Sequence, residues 1–423
     1  MSTSSTTVVV IGGGQAGLAM SRHLSDRDVD HVVLERGQAA HSWRTERWDS
    51  LRLLSPNWLT RLPGFTYDGD DPEGYMTAGE VARFLDRYRT VIGAPVHSGT
   101  TVESVTPMDG GFRIETDQGA WRTRAVVVAT GACSTPHVPA LATQLPGRIQ
   151  QLSPIAYRNP AMVAGSRVLV VGASASGLQI ADELARSGRE VVLAAGEHVR
   201  VPRIYRGMDI HWWMDAIGLL DERHDEVEDL TKARRTPSLQ LVGSPEQRAL
   251  DLNVLGDHGV EVVGRLVGCT ETTLQFSGSL ANVCASADLK QARLLDRIDD
   301  HASAHGLDPE VGEPHRPTPT RLGPCRLLAD VAGIDAVVWA TGFRPSYPWL
   351  DGSLLDDRGT IRHDGGVGEH PGLYVLGLPF LRRRKSSFLD GVGVDADDLA
   401  THLRSRLDGR PVVTSVDRRR RSS

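Results

Sequence analysis

Cysteines, aromatic residues and long apolar runs are all scarce in this chain. The four cysteines, Cys133, Cys269, Cys284 and Cys325, contain no Cys-x-x-Cys pair, which argues against a dithiol redox relay. No apolar run reaches the roughly 18 residues that a membrane helix needs. The first apolar strand starts near residue 7, which leaves no room for a secretory signal before it. We therefore expect a cytoplasmic protein without membrane contact.

An excess of positive charge is also missing. The formal net charge is −6 over 423 residues, which gives no electrostatic reason for nucleic-acid binding. For the basic stretch Arg418 to Arg421 we expect a solvated tail, with lipid or polyanion contact as the alternative. His301 and His305 are spaced for one helix face, but no third ligand accompanies them. No metal site is therefore predicted.

Two glycine-rich turns, by contrast, each join an apolar strand to an amphipathic helix. The first consists of Gly12, Gly13, Gly14, Gln15, Ala16 and Gly17. Gly12 allows a sharp reversal, Gly14 lets the backbone approach a diphosphate, and Gly17 lets the helix pack closely on the sheet. The next strand ends at Glu35, where a carboxylate would accept ribose hydroxyls. This turn predicts an adenosine diphosphate site without a 2′-phosphate.

The second turn consists of Gly172, Ala173, Ser174, Ala175, Ser176 and Gly177. Ser174 replaces the usual middle glycine, which slightly restricts the approach of a phosphate to the backbone. The following strand ends in Ala195 and Gly196 rather than in an acid. Arg200 and Arg203 would then bind a 2′-phosphate, so we predict NADPH over NADH. The alternative is that both arginines are solvated loop charges.

The order of elements predicts an α/β fold with two Rossmann-like, three-layer dinucleotide-binding domains. Residues 1–160 and 331–423 would form a discontinuous first domain, and residues 161–330 the second. The strand near residues 334–342 ends in Ala-Thr-Gly, as does the strand 125–131, so we expect the chain to return to the first domain. Alternating runs between residues 101 and 130 predict a β-meander on its parallel sheet.

The chain resembles the flavin-containing monooxygenase superfamily, and within it the bacterial single-component class B flavoprotein monooxygenases. The matching stretches are Ser42–Asp49, Ser55–Trp58, Tyr157–Pro160, Ala340–Pro345 and Gly372–Gly377. The resemblance covers most of residues 7–205 and 334–402. It implies that the discontinuous domain binds FAD and that the second domain binds NADPH.

Site residues follow from this resemblance. For FAD it implies the first glycine turn together with Glu35, Arg36, Trp43, Val102, Thr130, Gly131, Asp390 and Gly391. For NADPH it implies Gly172, Ser174, Ala175, Ser176, Gly177, Arg200 and Arg203. Asn57 would act in catalysis by placing its amide near flavin N5 and C4a. The alternative for Asn57 is a turn asparagine that satisfies the local backbone.

The resemblance implies an NADPH-dependent monooxygenase, in which FAD and O2 form a C4a-hydroperoxyflavin that oxygenates a nitrogen, sulfur or carbonyl centre of a small molecule. One departure is the stretch Leu145–Tyr157, where the usual histidine is absent and Ser153 stands in its place. This weakens assignment to the Baeyer–Villiger group. The alternatives are a flavin-dependent quinone or disulfide reductase and a non-catalytic flavin redox sensor. The substrate is not predicted, and a homodimer is left open.

Overall fold

A computed structural model describes residues 3–410 of the chain. In the first half the strands are β1 Thr3–Ile11, β2 His31–Glu35, β3 Arg61–Leu62, β4 Phe65–Thr66, β5 Val96–Ser98, β6 Val102–Met108, β7 Gly111–Thr116, β8 Gly119–Val128, β9 Thr135–Pro136, β10 Gln150–Leu152, β11 Arg167–Val171, β12 Glu190–Ala195, β13 Val199–Arg200, β14 Ile204–Tyr205 and β15 Met208–Asp209. In the second half they are β16 Leu239–Gln240, β17 Glu261–Gly264, β18 Leu266–Cys269, β19 Thr273–Phe276, β20 Leu328–Asp330, β21 Ala336–Trp339, β22 Phe343–Arg344, β23 His363–Asp364, β24 Val367–Gly368 and β25 Leu373–Val375. The α-helices are α1 Gln15–Ser25, α2 His41–Thr45, α3 Ala78–Val91, α4 Ala175–Arg186, α5 Ile210–Ala216, α6 Leu230–Arg234, α7 Leu252–Asp257, α8 Leu280–Ala304 and α9 Val392–Leu407. The basic stretch Arg418 to Arg421 lies outside the described residues.

The first domain is built on a nine-stranded sheet. Its main path runs β23-β24-β25-β8-β1-β2-β5, and the pairings among β25, β8, β1, β2 and β5 are all parallel. The central strands contain buried runs of Val, Ile and Leu, as expected where both faces of a parallel sheet are covered. The expected meander is confirmed: β6 pairs antiparallel with β7, and β7 with β8.

The second domain has a parallel sheet of five strands in the order β10-β21-β11-β12-β17. Strand β21, which leads into the second Ala-Thr-Gly, pairs with β11, because Val168 lies opposite Ala336. The predicted boundaries at residues 160 and 331 are therefore wrong, since both β10 and β21 belong to this sheet. A buried β-branched strand fits either parallel sheet, so its local pattern does not identify its partner.

The first domain is nevertheless discontinuous, as the sequence predicted. Strand β25 returns to it and pairs with β8, and the final helix α9 packs on α1. The Ala-Thr-Gly repeat has a different meaning from the one expected. Strands β8 and β21 take the same place in the two sheets, each beside the strand that leads into a glycine turn. Among the described residues, no helix is long and apolar enough to cross a membrane.

Candidate functional site

Packing requires two of the four glycines in the first turn, Gly12 and Gly17. A Cβ on Gly12, whose φ is +109°, would lie 2.6 Å from the carbonyl oxygen of Ala129, and one on Gly17 would lie 1.9 Å from that of Gly12. Gly14 differs, because it is extended and a Cβ there would meet nothing within 4 Å. The space above Gly14 is therefore open at the N-terminus of α1, where free amide groups favour a diphosphate.

Glu35 is held at this turn by the backbone. Its side chain is buried and accepts hydrogen bonds from Gly13 N at 2.7 Å and from Gly37 N at 3.0 Å. Each carboxylate oxygen keeps a further lone pair, because two backbone donors do not exhaust an ionised carboxylate. The position fits the ribose-binding role that the sequence predicted.

Most of the other predicted FAD residues surround the same turn. Trp43 Nε1 donates to Gln15 Oε1 at 3.5 Å, and the Gly12 turn abuts the start of the Thr130–Gly131 segment. Val102 packs on the first core. Arg36, however, is ion-paired with Glu46. The structure thus brings the first-turn residues, Trp43 and the Ala-Thr-Gly segment together.

Asp390 and Gly391 lie just before helix α9. Asp390 pairs with Arg61 at 2.5 Å and with Lys385 at 3.0 Å, and its side chain is almost fully buried. A Cβ on Gly391 would lie 2.0 Å from the Lys385 carbonyl oxygen, so packing alone requires glycine there. The segment reaches the first turn, because Gln15 Nε2 donates to the Ser387 carbonyl at 3.4 Å. Residues 385–391 therefore belong to the wall of the candidate flavin site.

Asn57 performs the second of the two roles that the sequence left open. Its oxygen accepts from Met76 N at 2.9 Å, and its amide nitrogen donates to the Asp71 carbonyl at 2.9 Å. The residue is buried, and these bonds close the loop between residues 57 and 76. The geometry supports a loop-closing asparagine, whereas a direct contact with flavin stays a prediction.

The second turn repeats the geometry of the first. A Cβ on Gly172, at φ +112°, would lie 2.3 Å from the Ala340 carbonyl oxygen, and one on Gly177 would lie 1.8 Å from that of Gly172. Ser174 is extended at φ −85° and ψ −176°, close to the φ −85° and ψ −170° of Gly14. Any L-residue adopts this conformation, so serine fits the turn without backbone strain.

The strand register confirms that the second site lacks an acid where the first has Glu35. Leu34 lies opposite Ile11, and Ala194 lies opposite Val171, so Ala195 corresponds to Glu35. The repulsion that a carboxylate would exert on a 2′-phosphate is therefore absent at this position.

Arg200 and Arg203 do not present their guanidinium groups to this site. Arg200 is buried and pairs with Asp251 and Asp288, both at 2.7 Å. Arg203 is buried and pairs with Asp209 at 2.7 Å. Because their charges are already neutralised by internal carboxylates, the predicted binding of a 2′-phosphate by these arginines is not supported.

Sequence reasoning missed a buried polar network between the domains. Arg203 donates to the Leu54 carbonyl at 2.8 Å, and Tyr75 donates to Asp209 Oδ2 at 2.7 Å. Burial raises the pKa of Asp209, but hydrogen bonding to His211 and the charge of Arg203 outweigh it and bring that pKa to about 2. The network fixes the loop that contains Asn57 against the second domain. Tyr75 and Asp209 are 134 residues apart in the sequence, so no local sequence pattern indicates that they meet.

The four cysteines are free thiols. Burial raises the pKa of Cys269, and it raises the pKa of Cys284 to about 11, so these two thiols stay protonated near neutral pH. Over residues 3–410, no group of three or more His, Cys, Asp or Glu side chains could hold a metal ion.

Two glycine turns on two parallel sheets, with a buried acid at only one of them, are typical of oxidoreductases with two dinucleotide-binding domains. Comparison with known proteins agrees. Residues 9–204 match the family described as pyridine nucleotide-disulphide oxidoreductase. The chain is 32% identical to an uncharacterized CzcO-like oxidoreductase of Geobacillus kaustophilus over 94% of this chain and 97% of that one. It is 26% identical to the indole-3-pyruvate monooxygenase YUCCA4 of Oryza sativa over 94% and 87% of the two chains.

Solved structures share the fold. A flavin-containing monooxygenase from Stenotrophomonas maltophilia superposes with a TM-score of 0.67 at 22% identity and covers 96% of this chain and 99% of its own. A bacillithiol disulfide reductase from Bacillus cereus gives 0.60 at 16% identity, covering 95% and 99%. The chain belongs to the family of the CzcO-like oxidoreductases, and it shares its fold with the flavin-containing monooxygenase.

Proposed function

We propose that this protein is an FAD- and NADPH-dependent monooxygenase that oxygenates a nitrogen, sulfur or carbonyl centre of a small molecule. The observation that carries the proposal is that the two glycine turns differ in one neighbouring residue, which is an acid at the first turn and an alanine at the second. Glu35 at the first turn would accept hydrogen bonds from the ribose of FAD, whereas the second turn has Ala195 at the corresponding position, with no carboxylate to repel a 2′-phosphate. Similarity to an indole-3-pyruvate monooxygenase and the fold shared with a flavin-containing monooxygenase support the monooxygenase activity.

The first domain has groups that fit FAD. Gly14 leaves its Cβ space empty beside the amide groups of α1, which would face the diphosphate. Glu35 would accept hydrogen bonds from the adenosine ribose, and Trp43 with the 385–391 segment would border the rest of the cofactor. When bound, FAD supplies the chemistry that accepts reducing equivalents and activates O2.

The protein's contribution is to hold the cofactors and keep the site dry. The network of Arg203, Asp209 and Tyr75 fixes the loop that begins at Leu54, and the amide of Asn57 closes the same loop. Few titratable side chains are needed for such a reaction, because the reactivity belongs to the cofactor. Exclusion of water by these packed loops would protect the activated oxygen.

The test uses the purified full-length chain. We expect a yellow protein with one FAD per chain that consumes NADPH and O2, with faster turnover in the presence of an accepted amine, thioether or ketone. Incorporation of one 18O atom from labelled O2 into the product, measured by mass spectrometry, would establish monooxygenation. A chain that cannot be loaded with flavin would overturn the proposal.

The same assays separate the alternatives. Quinone-dependent NADPH consumption without oxygen incorporation would identify a reductase instead. Bound FAD that NADPH does not reduce would identify a redox sensor. A disulfide reductase of the dithiol type is disfavoured by the sequence, because none of its four cysteines forms a Cys-x-x-Cys pair.

A further inference from the structure

One exposed arginine, Arg265, lies where the second domain would contact the adenosine ribose of a bound dinucleotide. Arg265 follows directly after strand β17, whose last residue Gly264 lies opposite Ala195 of β12. The corresponding pairing in the first domain sets Ser98 of β5 opposite Glu35. Arg265 therefore stands beside the residue that replaces the ribose-binding acid.

The local contacts place the stem of Arg265 over this strand end. Its Cδ lies 3.7 Å from the position that a Cβ on Gly196 would take. The backbone beneath it is fixed, because the Gly196 carbonyl is hydrogen-bonded to Nδ1 of the buried His198 at 2.9 Å. The arginine thus crosses the end of β12, the position at which the adenosine ribose of a dinucleotide lies in this kind of domain.

Arg265 also differs from Arg200 and Arg203 in charge balance. Its guanidinium has neither a carboxylate nor a carbonyl partner within residues 3–410, whereas the other two are buried and paired with aspartates. Glu197, the first acid after the end of β12, is exposed and does not pair with it, and Glu261 pairs instead with Arg167 and Arg326. An unpaired guanidinium is free to form bidentate, charge-assisted hydrogen bonds with a phosphate.

We propose that Arg265 binds the 2′-phosphate of NADPH and sets the cofactor preference of the second domain. The inference rests on the proposed use of NADPH. Arg265 would be a specificity-determining residue, since its charge is of use only to a nucleotide that carries the additional phosphate. The alternative contact, stacking of the guanidinium on adenine, would serve NADH and NADPH equally.

The test measures binding rather than turnover. The full-length chain, saturated with FAD so that the first site is filled, is titrated calorimetrically with adenosine 2′,5′-bisphosphate and with 5′-AMP. We expect Arg265→Ala to weaken the bisphosphate about 10- to 100-fold, the usual worth of charge-assisted hydrogen bonds, and to leave 5′-AMP within about twofold. Arg265→Lys should recover part of the loss, because it restores the charge but not the bidentate geometry.

Arg122→Ala is the matched control, because Arg122 is an exposed arginine of the first domain. It should change neither affinity. Equal weakening of both nucleotides by Arg265→Ala would indicate adenine stacking and overturn the inference, as would no weakening of either. If the wild-type protein prefers the bisphosphate and Arg265→Ala keeps that preference, only this inference fails. If the wild-type protein does not distinguish the two nucleotides, the proposed NADPH dependence fails with it.

Discussion

Gly14 and Ser174 occupy the same position in two turns of one chain, and their backbones are nearly superimposable. Neither position requires a positive φ, so conformational freedom does not explain the glycine. The space above Gly14 is empty of protein atoms. At this scale, the glycine is best explained by a ligand that must come close to the backbone of the first turn.

A single methyl group tests that explanation. We expect Gly14→Ala to weaken FAD binding about tenfold or more, because its Cβ would occupy the space of the diphosphate. Gly147→Ala is the control, since a Cβ there also meets nothing within 4 Å and lies away from both turns. Fluorescence titration of the apoprotein gives both affinities. Equal FAD affinity in the two variants would show that Gly14 does not face the cofactor.

We expect the ionised carboxylate of Asp209, in the buried network between the two domains, to stabilise the folded protein. Its pKa of about 2 is below the ordinary value, so its contribution is complete above about pH 4 and disappears as the pH falls through about 2. Asp209→Asn should lower the free energy of unfolding at pH 7 by about 3–5 kcal/mol, because Arg203 would stay buried without a counter-charge.

The pH dependence distinguishes this role from a packing effect. Urea unfolding at pH 7, 5, 4 and 3 should show a difference between wild type and Asp209→Asn that narrows only in the most acidic samples. Tyr75→Phe removes one hydrogen bond to the same carboxylate and should cost about 1 kcal/mol. A difference that does not change with pH would contradict the assigned ionisation of Asp209.

At the scale of elements, helix α3, which follows the loop between residues 57 and 76, has a complete N-terminal cap. Thr77 Oγ1 accepts from Glu80 N at 3.2 Å, and Glu80 accepts from Thr77 N at 2.7 Å, so the two residues form a complete capping box. The cap fixes where α3 starts and therefore where the preceding loop ends. Met76, whose N–H donates to Asn57, is separated from Ala78, the first residue of α3, by Thr77 alone.

Removal of the cap should destabilise the first domain modestly. We expect Thr77→Ala to cost about 1 kcal/mol and to lower the melting temperature by about 2–4 °C, because one helix amide loses its acceptor. Thr77→Ser keeps the hydroxyl and should stay close to wild type. Differential scanning calorimetry with and without FAD measures both. If the alanine and serine variants melt together, the hydroxyl does not contribute.

At the scale of the whole molecule, the two domains are joined where the chain passes between them twice. Strand β9 on the outward passage pairs antiparallel with β22 on the return. A second contact lies on the loop side, where a Cβ on Gly243 would be 2.1 Å from the Leu53 carbonyl oxygen. The second domain therefore presses directly on the loop that contains Asn57.

Gly243→Ala should disturb this contact, because a methyl group cannot fit against a backbone carbonyl at that distance. We expect a melting temperature several degrees lower, and slower reduction of bound flavin by NADPH in stopped-flow measurements, since the loop and the second domain must separate. Gly256→Ala is the control, because its Cβ would point into open space on helix α7 and a helical alanine is favourable. Unchanged flavin reduction in Gly243→Ala would show that this contact does not align the cofactors.

Local chemistry in the sequence determined the two glycine turns, the acid at Glu35, its absence at Ala195, the meander and the cap of α3. Each depends on residues that are close along the chain or on a strand period that any sheet imposes. The partner of β21, the internal pairing of Arg200 and Arg203, and the closing role of Asn57 were decided only by the tertiary structure. A strand can pair in either sheet and an arginine can reach any nearby carboxylate, so their partners depend on which distant segments pack beside them.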